Sequence, residues 1–75
     1  MEKIRIGIVG LGNIAQTIHL PILTKLPDAE VAAVCDLDDN KARVVAEKFG
    51  IPRYYTDVET MLKSEESIVA VDICT

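Results

Sequence analysis

Hydrophobic positions along the chain follow two alternating periodicities, which predict strands and helices in strict alternation. Short runs rich in isoleucine, valine and alanine predict parallel strands buried on both faces. Apolar residues spaced i, i+3, i+4, i+7 predict a helix, as at Ala42, Val45, Ala46 and Phe49. The predicted strands are 3–9, 30–35, 54–55 and 68–74, and the predicted helices are 13–25, 39–49 and 57–63. This βαβαβαβ order predicts an α/β fold with a parallel sheet and right-handed crossovers.

Residues that begin, bend or end helices set the predicted boundaries. Pro21 predicts a kink or a restart near 19–21, because proline lacks a backbone donor and crowds the preceding turn. Asp38 is the predicted N-cap of the second helix, and Gly50 follows its C-terminal end. Thr56 and Glu59 have the spacing of a capping box, with Thr56 as the N-cap of the third helix.

The strongest chemical signal is a Gly-x-Gly-x-x-Ala motif between the first predicted strand and the first predicted helix. Gly10 permits a sharp turn, Gly12 lets a pyrophosphate approach the backbone, and Ala15 lets the helix pack closely on the strand. Asp36 ends the second strand about twenty residues further on, where an acid binds the adenosine ribose. These features predict a partial Rossmann fold with strand order 3-2-1-4. The alternative is a tight strand–helix turn that binds no ligand.

Composition and charge narrow the classes of function. The chain has a net charge of −4 and 4% aromatic residues, which argues against nucleic-acid binding. It has neither a long apolar run nor a signal-peptide pattern, so we expect a cytoplasmic protein with no membrane partner. Cys35 and Cys74 suit a reducing compartment and are expected to be free thiols, because the first strand would separate them. The cysteines lack metal-site spacing and there is one histidine, so no metal ligand is predicted.

Five segments resemble the N-terminal domain of the glucose–fructose oxidoreductase, inositol dehydrogenase and rhizopine-catabolism (Gfo/Idh/MocA) family. They read IGIVGLGNIA at 6–15, HLPIL at 19–23, VCDLD at 34–38 with Lys41-Ala42 following, YYTDVE at 54–59, and VDICT at 71–75. The resemblance covers essentially all 75 residues. It implies that residues 1–75 are the N-terminal part of a dinucleotide-binding domain, with the catalytic and substrate domain absent from this sequence.

The resemblance implies an NAD(P)-dependent dehydrogenase that transfers hydride between a nicotinamide cofactor and a secondary alcohol of a sugar, cyclitol or related compound. The residues it assigns to cofactor binding are Gly10, Gly12, Asn13 and Ile14 at the pyrophosphate, Asp36 at the ribose, and Cys74 and Thr75 along the cleft. We expect NAD to be preferred over NADP, because the Asp36 carboxylate repels a 2′-phosphate and Leu37 replaces a possible arginine. The family's catalytic lysine and histidine are not in this sequence, so no catalytic residue is assigned and catalysis by this piece alone is not expected.

Other interpretations stay open at this stage. The same fold suits a nucleotide-responsive regulatory or binding module, or a remnant that binds nothing. The expected partners are the dinucleotide, a polyol or sugar substrate of the parent protein, and further copies in a homo-oligomer, since the last strand would be an apolar sheet edge. His19 is interpreted either as a residue near the cofactor mouth or as a plain helix residue. Asp72 is expected to be structural, either facing a partly open position or accepting donors from a neighbouring loop. Tyr54 and Tyr55 are expected to pack at a sheet edge.

Overall fold

A parallel sheet of four strands forms the centre of the fold. The computed structural model describes residues 3–74, with strands β1 (Ile4–Val9), β2 (Ala29–Cys35), β3 (Arg53–Tyr55) and β4 (Ala70–Ile73). The helices are a π-helical segment (Ala15–His19) continued by α1 (Leu20–Leu23), then α2 (Asp39–Phe49) and α3 (Val58–Ser64). The strand order is β3-β2-β1-β4, which confirms the predicted order. Within residues 3–74, no helix has the length and apolarity needed to cross a membrane.

Strand β2, which lies between β3 and β1, contains a β-bulge that changes which face of the sheet its side chains point to. Its register against β1 shifts after Ile6, which leaves Ala32 as an extra residue. Because side chains alternate between faces, the extra residue turns Val31 and Val34 to the same side, and both lie in the main core. The run from Val31 to Cys35 is buried throughout, as expected of a central parallel strand.

The two faces of the sheet carry cores of unequal size. The larger core lies under the first helix and α2 and contains Ile8, Leu11, Leu20, Val31, Val34, Ala42, Val45, Ala46 and Ile51. The smaller core lies on the other face and contains Ala33, Cys35 and Met61. Gly7 allows this close packing, since a Cβ there would lie 2.9 Å from the Met61 methyl carbon. The scarcity of aromatic residues predicts a core of Ile, Val, Ala and Leu, and the described cores consist mainly of these residue types.

The first helix changes from π-helical to α-helical geometry just before Pro21, within the range where a kink or a restart was predicted. The backbone is π-helical through His19 and becomes α-helical at Leu20, with Pro21 in the first turn of α1. The predicted extension to residue 25 is wrong, because α1 ends at Leu23. Proline disfavours helical geometry in the residue before it, so Pro27 opposes extension of the helix through Leu26.

The ends of α2 agree with the prediction, and the start of α3 does not. The Asp38 side chain accepts a hydrogen bond from the Lys41 N–H, and Gly50 adopts a left-handed conformation with φ of 68° after α2. At α3 the predicted N-cap Thr56 is wrong, because the Asp57 carboxylate accepts the Thr60 N–H at 2.9 Å. An aspartate in extended backbone is an equally good cap one residue later.

The predicted capping box of α3 is also wrong, because its acid has another partner. Glu59 lies within the first turn and pairs with Lys63 at 3.0 Å. Helical spacing predicts that Val58, Met61 and Leu62 are buried. Met61 is buried, but Val58 and Leu62 are exposed. The Met61 side chain packs with Ala33 and Cys35 of β2 and lies next to Gly7 of β1, and it is the buried residue of this short helix.

A buried carboxylate links the end of α3 to the strands. Glu65 is 8% exposed and lies near the guanidinium groups of Arg5 and Arg53, at 3.5 and 3.6 Å. The Tyr55 hydroxyl donates to Glu65, and this hydrogen bond, with burial and the Glu65 charge, raises the pKa of Tyr55. Tyr54 is exposed on the edge strand β3. The two tyrosines lie at a sheet edge, as predicted.

Candidate functional site

The glycine turn lies where β1 ends, beside the end of β2. Gly10 has φ of 87°, a left-handed conformation that favours glycine, which confirms the predicted sharp turn. Its N–H donates to the Cys35 carbonyl at 2.9 Å, so the turn is tied to β2. Leu11 is fully buried and anchors the turn in the main core. The turn forms here because Gly10 can adopt the left-handed conformation and the apolar side chain of Leu11 is buried.

Beyond the turn, the start of the first helix is open. Gly12, Asn13 and Ile14 are exposed, whereas Ala15 is completely buried against the sheet. A Cβ at Gly12 would meet nothing within 4 Å, so its missing side chain leaves free space. The first N–H groups of a helix have no intrahelical acceptor, and they attract anions at this end. The arrangement can therefore accept a phosphate group through backbone donors.

Asp36 links the turn to the loop after β2. Its Oδ2 accepts the Leu11 N–H and its Oδ1 accepts the Asp38 N–H, each at 2.9 Å. Partial burial disfavours the charged form, but the Asp38 and Leu11 donors, with the Lys41 charge, outweigh it and lower the pKa of Asp36. The carboxylate is therefore ionised at neutral pH and fixed in orientation beside the glycine turn.

A cavity of about 360 Å³ opens next to this carboxylate. Its lining residues are Val9, Gly10, Cys35, Asp36, Leu37, Thr56, Asp57 and Val58. Leu37 is 93% exposed at the rim, so a large apolar side chain is presented to whatever enters. The volume lies within the range of small-molecule sites, and apolar walls with few polar groups are typical of them. The cavity is large enough for a small flat ring system that carries a polar group beside the Asp36 carboxylate.

The structure divides the sequence-predicted site residues between several places. Gly10 and Asp36 line the cavity, and Gly12, Asn13 and Ile14 lie at the adjoining helix start. Cys74 lies on the other side of β1, where its N–H donates to the Val9 carbonyl at 2.8 Å. Thr75 lies outside the described residues.

Both cysteines are free thiols, as predicted, and β1 runs between them. Burial, followed by the charges of Asp57 and Asp36, raises the pKa of Cys35. For Cys74, burial is again the main cause of a raised pKa, and the charge and hydrogen bonding of Asp72 add to it. Neither thiol is activated as a nucleophile by these surroundings.

One polar pair, His19 and Asp72, was not predicted from the sequence. The His19 Nδ1 lies 2.7 Å from the Asp72 Oδ2, linking the first helix to β4. Asp72 is partly open to solvent, as one of the two expectations had it, and the other is wrong, because its partner comes from the first helix and not from a neighbouring loop. No local motif gives this pair, because its members are far apart in the chain. The only sequence signal was an acid in a strand expected to be buried.

A scan of known families matches residues 4–75 to a family model described as "Oxidoreductase family, NAD-binding Rossmann fold". Among curated proteins, the chain is 34% identical over 70 residues to the myo-inositol 2-dehydrogenase of Thermotoga maritima. That match covers 93% of this chain and 20% of the relative. The chain thus spans about a fifth of the length of the curated relative.

Solved structures agree in fold over the same region. The NAD complex of GenD2 from gentamicin A biosynthesis has a TM-score of 0.89 and 25% identity, covering 100% of this chain and 21% of that one. KijD10, a 3-ketoreductase from Actinomadura kijaniata crystallised with NADP, has a TM-score of 0.84 and 28% identity. It covers 93% of this chain and 22% of that one. Similar proteins therefore bind either dinucleotide.

Proposed function

Because this chain belongs to the Gfo/Idh/MocA oxidoreductase family, whose matched region is an NAD-binding Rossmann fold, we propose that it forms the N-terminal part of a dehydrogenase's dinucleotide-binding domain. The observation that carries this proposal is the joining of the glycine turn to Asp36 through the Leu11 N–H. One anchored unit thereby offers a phosphate site and a ribose acceptor. A tight turn without a ligand has no need of an open space at Gly12.

The residues present fit a dinucleotide in three places. The N–H groups at the exposed start of the first helix, at Gly12, Asn13 and Ile14, would hold the pyrophosphate. Asp36 would accept the adenosine ribose hydroxyls, and the apolar cavity with Leu37 at its rim would hold the adenine. Cys74, at the end of β4 across β1, would line the nicotinamide side with Thr75. The net charge of −4 makes backbone donors, rather than basic side chains, responsible for the phosphates.

We propose that the reaction of the whole protein is hydride transfer between this cofactor and a secondary alcohol of a cyclitol, sugar or related compound. The myo-inositol 2-dehydrogenase among the relatives supports this substrate class. When bound, the nicotinamide accepts or donates the hydride. The role of residues 1–75 is to bind and orient the dinucleotide, and none of their side chains is assigned to proton transfer.

Cofactor titration tests the binding proposal, and a turnover assay tests the reaction. We expect saturable NAD binding to the purified protein and reduction of NAD with myo-inositol or a related polyol by the full-length enzyme. NAD binding without turnover of any polyol or sugar would favour the nucleotide-responsive binding module instead. Absence of binding to either dinucleotide would contradict both.

The preference for NAD over NADP is a further part of the proposal. Asp36 is ionised and held by two backbone donors, so its charge would repel a 2′-phosphate on the adenosine ribose. We expect a lower dissociation constant for NAD than for NADP. In the Asp36→Ala variant we expect the two dissociation constants to be closer to each other. We compare the ratio of the two dissociation constants, because Asp36→Ala also removes the acceptor of the Leu11 N–H and is expected to weaken the binding of both cofactors.

Asp57→Asn is a matched control for that experiment. Asp57 lines the same cavity, so the variant removes one negative charge there while asparagine keeps its role as a helix cap. We expect the NAD/NADP ratio to be unchanged in this variant. Equal affinity of the unmodified protein for NAD and NADP, or an equal change of the ratio in both variants, would refute the assignment of specificity to Asp36.

A further inference from the structure

Three potential metal ligands converge on the side of β1 away from the cavity. They are His19 on the first helix, and Asp72 and Cys74 at the end of β4. Their ligand atoms all lie within 4.8 Å of one another, and the His19 Nδ1 is 2.7 Å from the Asp72 Oδ2. All three side chains are half-buried. The dinucleotide proposal uses neither His19 nor Asp72.

The fold explains why residues so distant in sequence meet here. Side chains two residues apart at a strand end point to the same face, so Asp72 and Cys74 lie side by side. The first helix covers this face of the sheet, and Cys74 packs against the core beneath it. His19 is the last residue of the π-helical segment, directly before the turn that contains Pro21. Single-turn π segments often occur at functional sites.

We propose that His19, Asp72 and Cys74 form a binding site for a divalent transition-metal ion of the zinc class. An imidazole nitrogen, a carboxylate oxygen and a thiolate sulfur are the three donor types that zinc takes from proteins. A thiolate and a carboxylate together carry two negative charges, which balance the ion. Hard cations such as Mg²⁺ prefer oxygen ligands, so the sulfur and nitrogen donors exclude them.

The geometry needs only small side-chain movements to accept the ion. Two donors about 2.1 Å from a tetrahedral zinc lie about 3.4 Å apart, so the His19–Asp72 contact of 2.7 Å has to open slightly. The sulfur approaches from within 4.8 Å. The side chains of His19 and Asp72 are 37% and 30% exposed, so an ion can reach them from solvent, and water would fill the fourth position. Three protein ligands plus an open position is a common zinc arrangement.

An ion at this site would fasten the first helix to β4. The direct link between these elements is the His19–Asp72 hydrogen bond, and metal coordination would replace it with bonds to three residues. An ion that binds the folded chain and not the unfolded chain stabilises the fold by mass action. The site lies outside the cavity beside Asp36, and this inference does not depend on the proposed function, although Cys74 is also assigned to the nicotinamide side of the cleft.

Cobalt(II) is the probe that tests the site, because a cobalt–thiolate bond gives a charge-transfer absorption. The purified, reduced protein is titrated with CoCl₂ and then with ZnCl₂. We expect a thiolate band that saturates at one equivalent and disappears when zinc replaces cobalt. The band is expected to be lost in Cys74→Ser and strongly weakened in His19→Gln. Cys35→Ser is the matched control, since it removes the other free thiol on the opposite face of the sheet and is expected to keep the band.

Thermal unfolding supplies a readout that does not depend on colour. We expect ZnCl₂, and not MgCl₂, to raise the unfolding midpoint of the unmodified protein and of Cys35→Ser, with no rise in Cys74→Ser. Midpoints measured without metal show whether the variants fold. A missing cobalt–thiolate band in the folded protein would refute the proposal, as would a band that survives in Cys74→Ser.

Discussion

At the scale of single residues, the glycine turn separates positions that serve the fold from positions that serve a ligand. Gly10 and Gly50 both have positive φ, so their backbone conformations require glycine. Gly12 has no such strain, and a Cβ added there would meet no other part of the protein within 4 Å. Neither backbone strain nor packing within the described residues requires glycine at Gly12, which agrees with the proposal that a pyrophosphate approaches the backbone there.

Gly12→Val is therefore expected to abolish NAD binding while leaving the protein folded. The branched side chain would occupy the space that the pyrophosphate needs, while its Cβ would meet no other part of the protein within 4 Å. Gly50→Ala is the opposite control: its left-handed backbone predicts a loss of about 1 kcal/mol of stability with unchanged cofactor affinity. Calorimetric titration and thermal unfolding of both variants measure the two effects. Unchanged NAD affinity in Gly12→Val would place the cofactor elsewhere.

Residues with a local cause were predictable, and residues brought together by the tertiary fold were not. Gly10 and Asp36 follow from their positions after buried strands, and the structure joins them at one cavity. His19 and Asp72 form their pair through the packing of the first helix over β4. The spacing of residues along the sequence does not show which helix residue will lie beside which distant strand residue. The expectation of no metal ligands rested on such spacing.

At the scale of elements, the start of α3 is a test of which side chain caps a helix. The Thr60 side chain and N–H both donate to the Asp57 carboxylate and lower the pKa of Asp57. We expect Asp57→Ala to lower the unfolding midpoint and Thr56→Ala to leave it nearly unchanged. An equal fall of the unfolding midpoint in the two variants would show that Thr56 caps the helix as much as Asp57 does.

The same cap predicts a dependence of stability on pH. Because the folded-state pKa of Asp57 is below its ordinary value, the stabilising contribution is present above that ordinary value and is lost as pH falls through the lowered pKa. Asp57→Asn keeps a capping oxygen that does not titrate. Acid unfolding curves are therefore expected to be less steep for Asp57→Asn than for the unmodified protein in that range. Identical curves would show that the cap carries no measurable share of the acid dependence.

Element types were predictable because periodicity and caps act locally, whereas burial on α3 was not. Asp38 and Gly50 bound α2 where the sequence indicates. Thr56 and Asp57 are both good caps, so sequence preference could not choose between them. Leu62 has the spacing of a core residue and is exposed, whereas Met61 is the residue of α3 that is buried against the sheet.

At the scale of the whole molecule, the strand order follows from the right-handed crossovers, and it leaves β4 at an edge. Within residues 3–74, β4 pairs with β1 alone. Val69, Val71 and Ile73 lie on one face of this strand and are exposed, the first and last by 74% and 66%. An apolar edge with unpaired backbone groups is a template for another strand.

The 75-residue chain is therefore expected to self-associate at micromolar concentration. Pairing of β4 with its copy satisfies the free backbone groups and covers the exposed face, and an antiparallel two-fold dimer is the simplest closed arrangement. The double variant Val69→Lys with Ile73→Lys places charges on the edge and is expected to be monomeric with the same fold, since neither side chain belongs to a core. Sedimentation equilibrium of both proteins decides the matter, with circular dichroism as the check on folding. A well-folded, strictly monomeric parent chain would show that this edge does not template pairing, and a dimer that persists in the double variant would place the contact on another surface.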